Sequence, residues 1–373
     1  GNEQPQIAVL RSNAIVSAFK KLGYSNVKRI SSMNEAAGCD VVLANDVQLQ
    51  DVTGVLEFVK SGGGYMAAPL GWGFLYFKPF ANFSEDFIHN HISGEMGILM
   101  GTTSVNRIGG AFPVSGEKHV RGLYAEEAVD IIFSDNPGKT ELKQASTPLV
   151  TLISVLPKRV RPNLHRALAE LLNRPEANKV PSPSAPVTAE DIFARLSILT
   201  RKNAWLANPE MPVAVEAGAD VYPGATVPGT PKIEKTVEVD LSVPRWHSTG
   251  VYAVAGEPLS VTIGKEMLGM GLNVRIGSTA DDLSHLDQWK RYPRVTCEVP
   301  LVKEKTTVYS PFGGLVYIVV PMRGRRSGVF PVEISGGIMA PWFKSGRDTK
   351  ESFAEQCRTT GAPYGEIQGR DFV

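Results

Sequence analysis

Cysteine is scarce in this chain. Cys39, Cys297 and Cys357 lie far apart, with no Cys-x-x-Cys spacing. A disulfide framework does not fit; three buried structural thiols do, with one pair plus a free thiol as the alternative. Long apolar runs are also missing, since none approaches the roughly 20 residues needed to span a bilayer. No charge of one sign dominates: 39 basic and 38 acidic residues leave a net +1. Nothing global therefore recruits nucleic acid or an anionic membrane. The N-terminus, Gly1-Asn-Glu-Gln-Pro5, lacks the basic-then-apolar shape of a signal peptide, as a trimmed product would too. What remains is an ordinary globular composition, 43% hydrophobic and 21% charged, over 373 residues. That length fits two or three domains.

The first half alternates strand and helix. Ile7–Leu10 suits a buried parallel strand, and Ser12 or Asn13 can cap a helix with Ile15, Ala18, Phe19 and Leu22 on one face before Gly23 stops it. The unit repeats with the strand Val41–Ala44, a helix capped by Asp51, and Gly62-Gly-Gly64 before the strand Tyr65–Ala68. This pattern predicts a parallel α/β sheet in three layers. Residues 70–123, rich in aromatics and glycine, read as loops. Ala128–Phe133 and Leu149–Leu156 read as strand or helix, and Leu164–Leu172 as helix.

The proline- and serine-rich stretch from Arg174 to Pro186 is the best boundary. Thr188-Ala-Glu-Asp191 resembles a capping box opening a helix to about Lys202. Beyond Ile233 come eight strand candidates with Gly/Pro punctuation, predicting an antiparallel sandwich or jelly roll. Thr349–Cys357 is a last amphipathic segment.

Several motifs invite chemistry. Gly62–Gly64 closes a helix and opens a strand, the reverse of a phosphate-binding glycine loop, so it reads as a helix stop. His89 and His91 would face one side of a strand, where two zinc ligands could sit, with Glu85, Asp86 or Glu95 nearby; the alternative is loop histidines. Asp281 and Asp282 could bind calcium or a sugar hydroxyl; alternatively one caps a short turn and the other is solvated. Trp246, His247, Tyr252, Trp289 and Tyr292 could stack on sugars or fill the core. Lys158–Arg161 and Arg323–Arg326 are basic clusters, the second reading as a hairpin tip. The sequon Asn82-Phe-Ser84 matters only if the chain is secreted.

Asn273-Val-Arg-Ile-Gly-Ser-Thr-Ala-Asp-Asp-Leu283, Pro311-Phe-Gly-Gly-Leu-Val-Tyr-Ile-Val-Val-Pro321 and Pro244-Arg-Trp-His-Ser-Thr-Gly-Val-Tyr252 together carry a resemblance. It continues through Ala340-Pro-Trp342 and Pro363-Tyr-Gly-Glu366. The chain resembles the non-catalytic N-terminal half of enhancin-like, mucin-targeting M60-like zinc metallopeptidases, and is most similar to their relatives, the TRP-channel-associated factors. The resemblance implies a class I glutamine-amidotransferase-like parallel α/β domain (1–174) and a Pro-rich linker and helix (175–230). A jelly-roll-type accessory sandwich (231–345) and the start of a truncated metallopeptidase-like domain (346–373) would follow. Trp72, in Leu70-Gly-Trp-Gly-Phe74, sits where the family has a tryptophan-containing loop. Ala280 replaces a histidine often found before the Asp-Asp pair. No Gly-x-Cys-x-Gly elbow serves an amidotransferase, and none of His89, His91, His119, His165, His247 or His285 belongs to a His-Glu-x-x-His.

The implied role is positional, with no catalytic residue and no cofactor in this chain and zinc in a missing downstream domain if the parent is a peptidase. Trp246, Asp281, Asp282 and Trp72 are the candidate binding residues, and His89 and His91 the candidate metal ligands. The implied partner is a protein or glycoprotein, or by resemblance a membrane channel, but not nucleic acid. The compartment would be cytoplasmic or membrane-peripheral for a channel-associated protein, and extracellular for a mucin-directed peptidase.

Overall fold

The computed structural model describes residues 4–78, 81–102, 124–135, 137–322, 324 and 326–369. The chain divides into two compact units, 1–169 and 170–373.

In the first unit, β1 (Ile7–Leu10) is buried at every position. It pairs in parallel with β2 (Val27–Ile30) and β3 (Val41–Leu43), and β3 with β4 (Gly64–Met66), in the order β2-β1-β3-β4. Helix α1 (Asn13–Lys21) is capped by Ser12, whose side chain accepts from the Ile15 amide at 3.3 Å. Its Ile15, Val16 and Phe19 cover Ile7, Val9, Val27 and Leu43. Helix α2 (Val52–Lys60) sends Phe58 to the opposite face, onto a cluster containing Ala8, Leu10, Ile30 and Val42. A sheet covered on both faces explains the unbroken apolar runs of its central strands β1 and β3, and the three-layer expectation holds.

In the described part of the expected loop region the chain forms helices instead, α3 (Gly71–Phe77), α4 (Phe83–Asp86) and α5 (Ile88–Ser93), while residues 103–123 of that region lie outside the described residues. Phe83 stacks on Phe87 at 4.5 Å, and Phe74 meets Phe87 edge-on at 5.4 Å. These turns are too short to show a period, and aromatic packing holds them. Trp72 is therefore on a helix rather than a loop, half exposed. Ala128–Phe133 and Leu149–Leu156 resolve as helix, in α6 (Ala125–Phe133) and α7 (Lys139–Val155), the latter despite Pro148 within it. Helix α8 (Pro162–Glu170) follows.

In the second unit, β5 (Val187–Thr188) precedes α9 (Ile192–Ala207). Thr188 is not the helix cap, since its amide and hydroxyl bind Asp191, which itself stands at the N-cap. Strands β6 (Glu234–Asp240), β7 (Arg245–Ala253), β8 (Leu259–Ile263) and β9 (Asn273–Ile276) follow. Then come β10 (Gln288–Trp289), β11 (Cys297–Pro300), β12 (Lys305–Val308), β13 (Gly314–Val320), β14 (Val329–Ser335) and β15 (Ile338–Met339). The two main sheets are antiparallel, ordered β11-β9-β13-β7-β15 and β12-β8-β14-β6. Val274, Ile276, Val316 and Ile318 on one, with Val261, Ile263, Val332 and Ile334 on the other, are buried. Gly337 lies where Val251 and Leu259 converge; an added Cβ would sit 2.4 Å and 3.2 Å from their methyls. Arg323–Arg326 is not a hairpin tip, because β13 and β14 belong to different sheets. Arg326 turns inward to donate to the Met270 carbonyl at 2.7 Å, while Arg323 and Arg325 lie outside the described residues.

The chain closes with β16 (Trp342–Lys344), α10 (Lys350–Thr359, capped by Thr349) and β17 (Glu366–Gln368), β16 and β17 pairing in parallel. The last four residues, and His119, lie outside the described residues. Among the described residues no helix is long and apolar enough to cross a membrane. The expectation of three buried thiols fails: Cys297 is buried, Cys39 is half-buried and Cys357 is exposed. Burial pushes the Cys297 thiol up to about 12, which keeps it protonated and unreactive.

Candidate functional site

The sequence motif around Arg275 builds one row of side chains on the outer face of the five-stranded sheet. Register aligns Ser248, Tyr317, Arg275 and Glu298 across four strands. Val274 and Ile276 alternate to the opposite, core-facing side. Arg275 meets Glu298 at 3.2 Å, stacks over the Trp246 ring at 4.4 Å, and donates to the carbonyls of Gly277 and Thr279. Trp246 also packs on Tyr317 at 5.1 Å. Gly277 has φ +98°, and a Cβ there would meet Thr296 at 2.4 Å; one on Gly314 would meet the Gly277 backbone at 2.9 Å. The glycines of the two motifs thus exist for each other's close approach.

The acidic pair separates. Asp282 caps the turn Leu283–His285, accepting from the Ser284 amide at 2.9 Å, and pairs with Lys202 of α9 at 3.0 Å. Asp281 is half exposed and pairs with Arg291 at 2.7 Å. Burial alone would raise the Asp282 carboxyl, but Lys202 and the bonds from Ser284 outweigh it and hold it below the ordinary value. Burial lowers the Lys202 ammonium, with Asp282 opposing. A depressed folded pKa contributes stability that is present above the unfolded value of about 3.9 and is lost as pH falls through the folded one. Acid titration of unfolding should show Asp282→Asn less stable at neutral pH and with a flatter decline below about pH 4. A decline as steep as that of the parent protein would count against this role.

The histidine pair lies on α5, not a strand, so residues two apart point to different sides. His89 faces the Tyr65 hydroxyl at 3.0 Å and the Asn45 carbonyl at 3.3 Å, while His91 faces the Glu85 carbonyl at 2.8 Å. Burial lowers the His89 imidazole and pushes Tyr65 up to about 12. Among the described residues no three His, Cys, Asp or Glu side chains converge as a metal site requires.

A cavity of about 550 Å³ lies between α9 and the sandwich. Trp205, Tyr292 and Phe312 form its buried floor, Phe312 lying 5.0 Å from Tyr292 and 5.8 Å from Trp205. Arg201 pairs with Glu216 at 2.7 Å, and the Tyr292 hydroxyl donates to the other Glu216 oxygen at 2.9 Å. Arg195, one turn before the cavity, clamps the Asp282 turn by donating to the carbonyls of Ser284, Leu286 and Asp287, and lies 4.0 Å over the Trp289 ring. Of the candidates, Asp282 reaches this cavity through Lys202; Trp246 and Asp281 do not line it. Trp72, His89 and His91 belong to the first unit. Sequence reasoning missed Arg201, Lys202, Glu216 and Arg294; the ion-pair partners of Arg201 and Lys202 lie 15 and 80 residues away, and Arg294 reaches the cavity only through the fold.

Residues 229–335 match the N-terminal domain of M60-like peptidases. The chain is 27% identical over 326 residues to TRPM8 channel-associated factor 2 of Homo sapiens and 26% identical over 323 residues to factor 1 of Bos taurus. Each alignment covers 83% of this chain and 34% of the relative, so the chain spans about a third of the length of these curated relatives. Among solved structures, the IMPa metallopeptidase from Pseudomonas aeruginosa is similar at 14% identity and a TM-score of 0.43, covering 99% of this chain and 46% of that one. Residues 229–335 are thus similar to the N-terminal domain of M60-like peptidases, within a chain that is similar over 83% of its length to the TRPM8 channel-associated factors.

Proposed function

We propose that the chain is a non-catalytic scaffold and recognition region of an M60-like protein, and that its second unit engages a protein or glycoprotein partner. The observation that supports this most is that the family match, 229–335, falls on the sandwich beside which α9 encloses an aromatic-floored cavity. In this reading the first unit is an amidotransferase-like scaffold without its thiol, and the second a jelly-roll-type accessory domain. The names of the relatives extend the range of partners to a membrane channel. A zinc-dependent activity of a larger protein would need a His-Glu-x-x-His that these 373 residues do not contain.

The test is binding of the full chain, by interferometry, to an O-glycosylated mucin-type peptide, its sugar-free form and a channel-associated ectodomain fragment. Saturable binding to at least one at micromolar Kd is expected. Absence of binding to all three would reject the reading.

A further inference from the structure

We infer that the cavity beside α9 is a docking groove for an extended acidic peptide segment, paired by its backbone with Ala214 of the strap and held through one carboxylate by Arg294. The inference rests on reading the second unit as a recognition region, and it names what that region recognises.

The first observation is a strap without partners. Residues 211–215 line one side of the cavity and form no helix or strand. The strap is tied down at both ends. Before it, Met211 donates to Asn208 at 3.0 Å and Tyr309 donates to Pro209 at 2.8 Å. After it, Glu216 donates to Pro311 at 3.1 Å, and its carboxylate is locked by Arg201 and Tyr292. Between these anchors, the amides and carbonyls of Val213, Ala214 and Val215 take no hydrogen bond among the described residues. The Val213 carbonyl and Val215 amide face Gly256, where an added Cβ would lie 3.5 and 3.6 Å from them, so the open edge of this anchored segment is at Ala214, whose backbone groups are a template for a further strand. Met211 and Val215 are 62% and 56% exposed, which supplies apolar contacts for alternate side chains of that strand.

The second observation is charge. Three cationic side chains line the cavity: Arg201, Lys202 and Arg294. Arg201 is committed to Glu216, and Lys202 to Asp282 and Ser284. Arg294 differs. Its Nε donates to the Thr296 carbonyl at 3.1 Å, which fixes the plane of the group, and among the described residues no carboxylate forms an ion pair with it. A guanidinium fixed at one nitrogen and without an ion pair is suited to a bidentate carboxylate. The cavity volume lies within the roughly 300–1,000 Å³ of ligand pockets. Committed anions at Glu216 and Asp282 disfavour a second acidic group at the α9 end, so the ligand carries its carboxylate near Arg294 and apolar groups over Phe312.

The probes are two acetylated, amidated pentapeptides, Thr-Val-Glu-Val-Thr and its Gln counterpart, titrated into the full chain by calorimetry. The Glu peptide should bind at least about tenfold tighter, the effect of one charge-assisted bidentate contact. Arg294→Ala should erase that preference. Arg294→Lys, which keeps the charge and the aliphatic stem, should retain part of it and so covers a failure of the alanine variant to fold. Ala214→Pro, removing a strap donor at an exposed position, should weaken both peptides alike. Equal affinity for the two peptides, a preference that survives Arg294→Ala, or no binding of either at millimolar concentration would overturn the inference. Mucin-type binding with no peptide preference would remove this inference alone; peptide preference without binding to the larger partners would remove the broader reading's choice of partner.

Discussion

Arg275→Met should destabilise the second unit by about 3–5 kcal/mol, the cost of leaving one member of a buried ion pair alone. The side chains of Arg275 and Glu298 are 8% and 5% exposed. Burial lowers the arginine, and Glu298 opposes that; burial raises the glutamate, and Arg275 opposes that. In both groups desolvation outweighs attraction, so the pair adds little net stability while its separation costs much. The same substitution removes the donors to the Gly277 and Thr279 carbonyls and the cation over Trp246. The double variant Arg275→Met/Glu298→Leu should regain the part of the loss that comes from the unpaired charge, since an apolar pair replaces the ions, but not the part carried by the Gly277 and Thr279 carbonyls and by Asn273, which donates to Glu298 at 3.2 Å. Urea unfolding followed by tryptophan fluorescence reads this out, because Trp205, Trp246, Trp289 and Trp342 all lie in the second unit. A loss under about 1 kcal/mol for the single variant, as at an exposed pair, would refute the buried-pair account.

Trp289→Ala should cost a comparable amount, about 3–5 kcal/mol, and should also disturb the cavity. The ring is fully buried, and its strand β10 pairs with β5, Trp289 opposite Val187. Arg195 covers one face of the ring while holding three carbonyls of the Asp282 turn. Removing the ring therefore leaves a void and frees the residue through which α9 grips the sandwich, so Lys202 and the cavity wall lose their reference. The expected result is a lowered unfolding midpoint together with loss of the Glu-over-Gln peptide preference. A stability loss that leaves this preference intact would show that the cavity does not depend on the Trp289 clamp. Trp289→Phe, which keeps an aromatic face for Arg195, should fall between the two.

Much of the architecture was legible because it follows local periodicity. Ser12 caps α1 as its hydroxyl and position require, and Leu259–Ile263 is a strand at the residues where apolar side chains alternate. The helices from Gly71 to Ser93 were not legible, since six- and seven-residue turns held by Phe74, Phe83 and Phe87 carry no measurable period. The histidine pair was misplaced for the same reason: a two-residue spacing means one face on a strand and opposite sides on a helix.

The site divides in the same way. Sequence by itself determined the strand pattern of the sandwich, the capping role open to an aspartate of the acidic pair, and the absence of a His-Glu-x-x-His. Those depend on residue type and near-neighbour spacing. Only the tertiary structure decided that Asp282 answers to Lys202, that Arg275 and Glu298 form one row with Tyr317, and that an unpaired strap and Arg294 share a cavity. Such pairings join residues tens of positions apart. They are set by strand register and by the docking of α9, quantities that no local pattern encodes.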